Sequence, residues 1–200
     1  QWNFTRGLED VIGDREGTLH GGASLSPEGL VLDGKTSYVL TAPVKSDLKA
    51  KTLEAFVKLS TLQQAGGAVM GVQTLDGDAG GQHFDAIVFG EREPARWMAG
   101  SDSFHRTQDL GAEPETAADK EFVHIAIVYD EDGTIRCYRN GRLYGKPYRK
   151  ADGFAFKAGE WRVIFGARAL PPGGNFMLTG TIREARMHDR ALTEQEIDER

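Results

Sequence analysis

The sequence of 200 residues contains one cysteine, Cys137. A single thiol cannot form an internal disulfide or a cysteine-rich zinc site, so neither crosslink is available to stabilise the fold. No apolar run approaches the roughly 20 residues of a membrane-spanning helix, and we expect no insertion into a membrane. Basic residues are outnumbered, 24 against 30 acidic, and the formal net charge of −6 argues against a nucleic-acid partner.

Glycine, by contrast, is abundant. It accounts for 25 of the 200 residues, well above the usual share of about 7%, and this predicts many tight turns. A chain of this length can bury a proper core, so we expect one domain spanning 1–200. Because the chain opens at Gln1 without a charged-then-apolar leader, we expect this domain to be excised from a larger multidomain protein.

Alternating apolar positions and β-branched residues predict strands through most of the chain. The clearest are 53–59, 84–91 and 121–130. Further strands are expected at 29–32, 37–40, 68–73, 134–139, 143–144, 161–167 and 176–188. About eleven short strands without alternating helices indicate an all-β fold, a two-sheet antiparallel β-sandwich or jelly roll.

Local signals fix one hairpin and one helix. Asn140 and Gly141 tolerate the positive φ angles of a type I′ turn, which predicts a hairpin centred on them. Thr193 lies three residues before Glu196, the spacing of a capping box at a helix start. We therefore expect a short C-terminal helix within the last ten residues.

Two segments match functional sequence patterns but do not meet the structural requirements of those patterns. Residues 29–36, GLVLDGKT, fit the phosphate-loop pattern, but strand-forming residues fill the loop and another strand follows it where a helix N-terminus is required. Glu196 and Asp198 resemble the paired acids of sandwich-fold glucanases, but on a helix they point about 200° apart. Because glycoside hydrolysis needs two opposed carboxylates, we expect no enzyme activity.

Four segments in order carry a family resemblance. They are GLVLDG at 29–34, LEAFVK at 53–58, FVHIAIVYD at 122–130 running into IRCYRNGR at 135–142, and GTIREARMHDRAL at 180–192. Together they resemble the laminin-G-like branch of the concanavalin A-like lectin and glucanase superfamily. The resemblance implies a jelly roll whose first and last strands lie together. It also implies a binding module appended to a larger secreted or periplasmic bacterial protein.

The resemblance also raises a possible calcium ion. Where relatives often carry an acid after the Gly-x-Ile of the last strand, this chain has Arg183, and losing an anionic ligand to a cation disfavours calcium. Asp10, Asp14 and Asp33 remain candidate ligands, with a structural turn role as the alternative for each.

Residues 91–106 form the first candidate ligand site, because sugars bind where an aromatic face meets polar side chains. The stretch contains Arg92, Arg96, Trp97, Asp102, Phe104, His105 and Arg106. The alternative is that Trp97 and Phe104 are core residues of one hairpin.

A second candidate is the basic segment 136–150, where Arg139 and Arg142 could bind an anionic glycan or an acidic partner surface. The alternative there is an ordinary charged outer sheet face. Our leading hypothesis is a non-catalytic module that recognises a glycan for a larger protein through sheet-face or loop residues around Trp97. The others are a protein-docking domain that packs against neighbouring domains and, least favoured, a glucanase-type hydrolase.

Overall fold

The protein folds as a sandwich of two antiparallel sheets with one short C-terminal helix, as a computed structural model shows. This confirms the predicted fold class. The structure describes residues 1–13, 15–75, 82–150, 153–171 and 177–198.

Fifteen strands and one α-helix make up the described fold. In chain order they are β1 (Trp2–Asn3), β2 (Gly17–His20), β3 (Ser24–Ser26), β4 (Gly29–Asp33), β5 (Tyr38–Thr41), β6 (Lys51–Leu59), β7 (Gly67–Thr74), β8 (Phe84–Phe89), β9 (Trp97–Ser101), β10 (Val123–Tyr129), β11 (Thr134–Arg139), β12 (Arg142–Leu143), β13 (Tyr148–Arg149), β14 (Trp161–Phe165), β15 (Thr179–His188) and α1 (Glu194–Asp198).

The two sheets differ in size and share no strand. The nine-stranded sheet runs β12-β11-β10-β6-β15-β4-β3, with β1 paired to β15 and β13 paired to β11. The six-stranded sheet runs β2-β5-β14-β7-β8-β9. The pairing of β1 with β15, Trp2 opposite Ala185, places the first and last strands together, as the resemblance implied.

The core lies between the sheets and follows the alternation seen in the sequence. Leu53, Ala55, Val57 and Leu59 of β6 all face it and are at most 1% exposed. Tryptophans 2, 97 and 161 are buried in the same cluster. Burying each such large side chain contributes roughly 1.5–3 kcal/mol, so the sandwich needs no crosslink.

The predicted turns form where glycine or asparagine permits them. Asn140 and Gly141 have φ values of 49° and 79°, and the flanking Arg139 and Arg142 pair across the hairpin. Residues 29–36 form a strand and a turn that lead into β5, so the phosphate-loop pattern has no helix behind it. At the C-terminus, the Thr193 backbone amide donates to Glu196 Oε2 at 2.9 Å, which confirms the helix cap.

Five strands are absent from the prediction, namely β1, β2, β3, β9 and β13. Four of them have four residues or fewer, too short for a periodic signal. The fifth, β9, is buried at all five positions, since Trp97 and Ala99 face the core while Met98 packs on the outer face. A strand covered on both sides shows no alternation, so residues 97–101 carry no periodic strand signal.

Candidate functional site

A tight turn after β9 holds one aromatic side chain out of the fold. Residues Asp102–Phe104 form a single 3₁₀ turn in which Ser103 and Phe104 both have left-handed backbone angles, with φ of 47° and 59°. A bulky residue rarely adopts that conformation. The turn leaves Phe104 46% exposed.

Arg106 fixes this turn from below. Its Nε donates to Asp85 Oδ1 at 2.7 Å, and its Nη2 donates to Asp102 Oδ1 at 2.5 Å and to the Phe84 carbonyl at 3.0 Å. Burial opposes ionisation of Asp102, but the charge and hydrogen bond of Arg106 outweigh it and lower the pKa of that carboxyl. The sequence placed Arg106 in the ligand site, whereas the structure gives it a supporting position beneath the turn.

The same network crosses the sandwich. Lys51 of β6 reaches Asp85 of β8 with a distance of 2.8 Å between Nζ and Oδ2, and both side chains are at most 2% exposed. Burial lowers the pKa of Lys51 although Asp85 opposes the change. The strained turn is thus tied through Arg106 and Asp85 to the opposite sheet.

Beside the turn lies a cleft of about 280 Å³ on the outer side of the six-stranded sheet. Its lining consists of Phe84, Glu91, Ser101, Ser103, Phe104, Arg168, Ala169 and Pro171. Glu91 and Arg168 form an ion pair in which the two side chains are 4% and 7% exposed. Burial lowers the pKa of Arg168 to about 10, which leaves the guanidinium charged at neutral pH.

The remaining predicted residues of the first site, Arg92, Arg96 and His105, do not line this cleft. The Arg92 guanidinium lies over the Phe104 ring, with Cζ 5.2 Å from the centroid. The His105 side chain is 68% exposed and its Nδ1 lies 3.3 Å from Asp102 Oδ2. Arg96 Nη1 lies 3.4 Å from Glu93 Oε2 and 3.7 Å from Asp109 Oδ2.

Trp97 does not belong to this surface, and its burial corrects the expectation of an exposed ring. The side chain is 1% exposed, and its Nε1 donates to Glu115 Oε2 at 2.9 Å. An indole in the core has no face available to stack on a sugar. The alternative stated for Trp97, a core residue, describes its position.

Glu115 also holds Arg139, so the two predicted sites meet at a residue that the sequence did not single out. Arg139 donates through Nε at 2.6 Å and through Nη2 at 2.9 Å. Burial would raise the pKa of Glu115, but the hydrogen bonds from Arg139 and Trp97 lower it to about 2. Arg139 is therefore already paired, whereas Arg142 is exposed on β12.

Of the three candidate calcium ligands, the structure describes Asp10 and Asp33, and both carboxylates accept hydrogen bonds from nearby backbone amides. The Asp33 carboxylate accepts hydrogen bonds from the amides of residues 35–37 and from the hydroxyl of Ser37. Burial would raise the pKa of Asp33, but these hydrogen bonds outweigh burial and hold that pKa well below its usual range. Asp10 is buried and accepts from the Ile12 amide at 3.2 Å, while Asp14 lies outside the described residues.

Asp33 thus fills the structural turn role stated as its alternative. Arg183, the cation that follows the Gly-x-Ile of the last strand, lies over the Phe122 ring, with Cζ 3.7 Å from the ring centroid. No group of three or more His, Cys, Asp or Glu side chains among the described residues is arranged to hold a metal ion. A calcium site that uses Asp10, Asp14 and Asp33 stays a prediction.

Sequence reasoning missed the floor of the cleft. Glu91 begins the stretch that was singled out, yet nothing in its neighbours distinguishes it from a solvated charge. Arg168 follows β14, a strand far along the chain, and only the fold brings the two together. The sequence feature that points to this cleft is Phe104, an aromatic residue that stands among polar residues next to Ser103.

A family model described as the concanavalin A-like lectin/glucanases superfamily matches residues 33–198. Among solved structures, domain 4 of AbnA, a GH43 extracellular arabinanase from Geobacillus stearothermophilus in complex with arabinotriose, is similar with a TM-score of 0.69 and 19% identity. That match covers 99% of this chain and 95% of the other. A comparison with curated proteins gives no match.

Two further structures share the fold. A sialidase from Trypanosoma rangeli is similar with a TM-score of 0.63 and 16% identity, over 95% of this chain and 29% of the enzyme. A heptameric SAP-like pentraxin from Limulus polyphemus has a TM-score of 0.52 and 15% identity, over 80% of this chain and 73% of the other. At such identities these likenesses show the fold alone.

Proposed function

Because the chain belongs to the concanavalin A-like lectin/glucanases superfamily, we propose that it is a non-catalytic module that binds a glycan in the cleft beside Phe104. The observation that carries the proposal is the position of Phe104, half exposed on a turn with two left-handed residues. Backbone strain of this kind persists where the surrounding structure enforces it, commonly at ligand sites. An exposed ring offers an apolar face to the C–H face of a sugar.

Two further observations support a sugar as the ligand. Polar side chains lie within the same cleft as the ring, which is the combination that recognises hydroxyl groups. The arabinanase domain that matches nearly the full length of this chain was solved with arabinotriose. That relative is extracellular by its description, and we propose a secreted or periplasmic location for this module as well.

The state of the acids supports the proposal of binding rather than cleavage. A glycosidase needs a carboxylic acid with a raised pKa opposite a second carboxylate. In this cleft Glu91 is paired with Arg168. Burial would raise the pKa of the nearby Asp102, but the charge and hydrogen bond of Arg106 outweigh burial and lower that pKa. Release of reducing sugar from arabinan or β-glucan, lost on Glu91→Gln, would overturn this part of the proposal.

The test of glycan binding compares two exposed apolar residues. Phe104→Ala removes the ring, while Leu143→Ala removes a side chain of similar exposure, 43%, on β12. On a glycan array and by calorimetry, we expect affinities between millimolar and micromolar. Phe104→Ala should weaken binding about tenfold, because one stacking contact together with its buried area contributes about 1.4 kcal/mol to the binding free energy. Leu143→Ala should change nothing.

Absence of binding across neutral and anionic glycans, or equal losses in both variants, would contradict the proposal. Circular dichroism of both variants checks that the sandwich is intact. Since Phe104 is already largely outside the core, its removal should leave the fold unchanged.

A second candidate is docking to neighbouring domains of a parent protein. It is favoured by Arg142 and Leu143, which lie exposed side by side on β12 at the end of the nine-stranded sheet. Arg142→Glu should abolish co-purification with the flanking domains if this surface docks. Arg139 is unsuitable for that test because its substitution would break the bond to Glu115.

A further inference from the structure

The floor of the Phe104 cleft contains a buried carboxylate with unused hydrogen-bonding capacity. Glu91 Oε1 lies against the Arg168 guanidinium, and Oε2 has no hydrogen-bond partner among the described residues. The side chain is 4% exposed. A buried, ionised oxygen without a donor is unfavourable, so this atom favours a ligand that brings one.

Glu91 lines the cleft, and its buried carboxylate packs against β9. Glu91 follows a turn at Gly90, whose φ is 67°, and its Oε2 lies 3.6 Å from the place that a Cβ of Gly100 would occupy. The carboxylate therefore rests over the bare backbone of β9. It shares the cleft with Phe104, so one ligand can reach both residues.

From this arrangement we infer that the cleft selects a neutral sugar, whose hydroxyl donates a hydrogen bond to Glu91 Oε2 while the ring stacks on Phe104. This inference rests on the proposed function and names its ligand class. Hydroxyl groups are donors, whereas the carboxylate of a uronic acid and a sulfate are acceptors only. An acceptor placed beside Oε2 would meet a like charge in a site shielded from water.

The cations of the cleft do not reverse this preference. The charge of Arg168 is already neutralised by Glu91 at contact distance, so the pair presents no net positive charge to an anion. Arg92 lies at the rim, over the ring of Phe104. The cleft, at about 280 Å³, is slightly smaller than the ~300–1,000 Å³ of typical ligand sites, which suits about one sugar residue.

The decisive experiment uses matched trisaccharides on the unaltered protein. Each pair differs only at C6, hydroxymethyl against carboxylate: galactotriose with trigalacturonate, cellotriose with its triuronate, and mannotriose with its triuronate, with arabinotriose added as a further neutral probe. By calorimetry we expect at least one neutral probe to bind at least tenfold more tightly than its acidic counterpart. Tighter binding of the acidic members would overturn the inference and leave glycan binding standing.

Variants of two nearby acids then locate the effect. Glu91→Gln keeps the shape but replaces an acceptor with a donor, and we expect at least a tenfold loss for the neutral probe together with a gain for its triuronate. Glu93→Gln, in the same hairpin but with a side chain 43% exposed, should bind as the original protein does. Unchanged neutral binding in Glu91→Gln would overturn the inference, and melting curves of each variant confirm folding. If no probe binds at all, the proposed function itself fails.

Discussion

Replacing Glu115 by Gln tests whether the buried polar junction between Trp97 and Arg139 stabilises the fold. Five donors surround this carboxylate: Trp97 Nε1, two nitrogens of Arg139, and the backbone amides of Thr116 and Ala117. The substitution keeps the size of the side chain. It removes the charge and turns one acceptor into a donor that faces other donors.

The magnitude follows from the pKa of Glu115. Ordinarily 4.5, it is lowered to about 2 because the bonds from Arg139 and Trp97 outweigh burial. A shift of that size corresponds to about 3 kcal/mol in favour of the folded state. This free energy agrees with the roughly 3–5 kcal/mol that is lost when one partner of a buried ion pair is removed. We expect the lower end of that range because Arg139 is 26% exposed and can be hydrated once Glu115 is replaced. The melting temperature should fall by roughly 6–12 °C.

The stabilisation should also depend on pH in a defined direction. Because the folded pKa lies below the unfolded one, the contribution is fully present above pH 4.5 and is lost as the pH falls towards 2. The difference in free energy of unfolding between the original protein and Glu115→Gln should therefore shrink over that interval.

Urea denaturation followed by circular dichroism, at steps between pH 7 and pH 3, measures both quantities. Glu113→Gln is the matched control, since Glu113 is exposed in the same segment. A loss below about 1 kcal/mol at pH 7, or a difference that stays constant down to pH 3, would refute the reasoning.

Two further predictions concern the sandwich itself. Lys51→Met leaves Asp85 with a buried charge that only Arg106 balances, and urea denaturation should show a loss of about 3 kcal/mol; an equal or higher stability would mean that desolvation outweighs the ion pair. Gly29→Ala should lower the melting temperature far more than Gly159→Ala. Both glycines have positive φ, but a Cβ at Gly29 would lie 2.2 Å from the Ile182 carbonyl oxygen, whereas Gly159 has open space, and equal effects would contradict the steric argument.

The sequence predicts a strand well where apolar and polar residues alternate or where β-branched residues are dense. Leu30 and Leu32 of β4 are buried while Val31 and Asp33 are exposed, β10 is rich in isoleucine and valine, and Asn140 with Gly141 allows a tight turn. The pattern fails for β9, because both of its faces are covered and its residues include Gly100 and Ser101. Periodicity reports exposure, so a strand without an exposed side carries little of it.

The candidate site is less predictable for a different reason. Aromatic and charged residues identify the stretch 91–106, yet they do not say which ring points outward. Trp97 lies inside the fold and Phe104 outside it because their backbone conformations differ, a strand in one case and a left-handed turn in the other. The pairing of Glu91 with Arg168, and of Glu115 with Arg139, joins distant segments that only the folded chain brings together.

The buried ion pairs explain how the strained turn is held in place. Left-handed angles at Ser103 and Phe104 cost of order 1–3 kcal/mol each. Arg106 offsets that cost by anchoring the turn to Asp85, which Lys51 holds from the opposite sheet. Under the proposed function, a turn fixed before the ligand arrives would lose little conformational entropy on binding, so the contacts of Phe104 would contribute to affinity with little ordering cost.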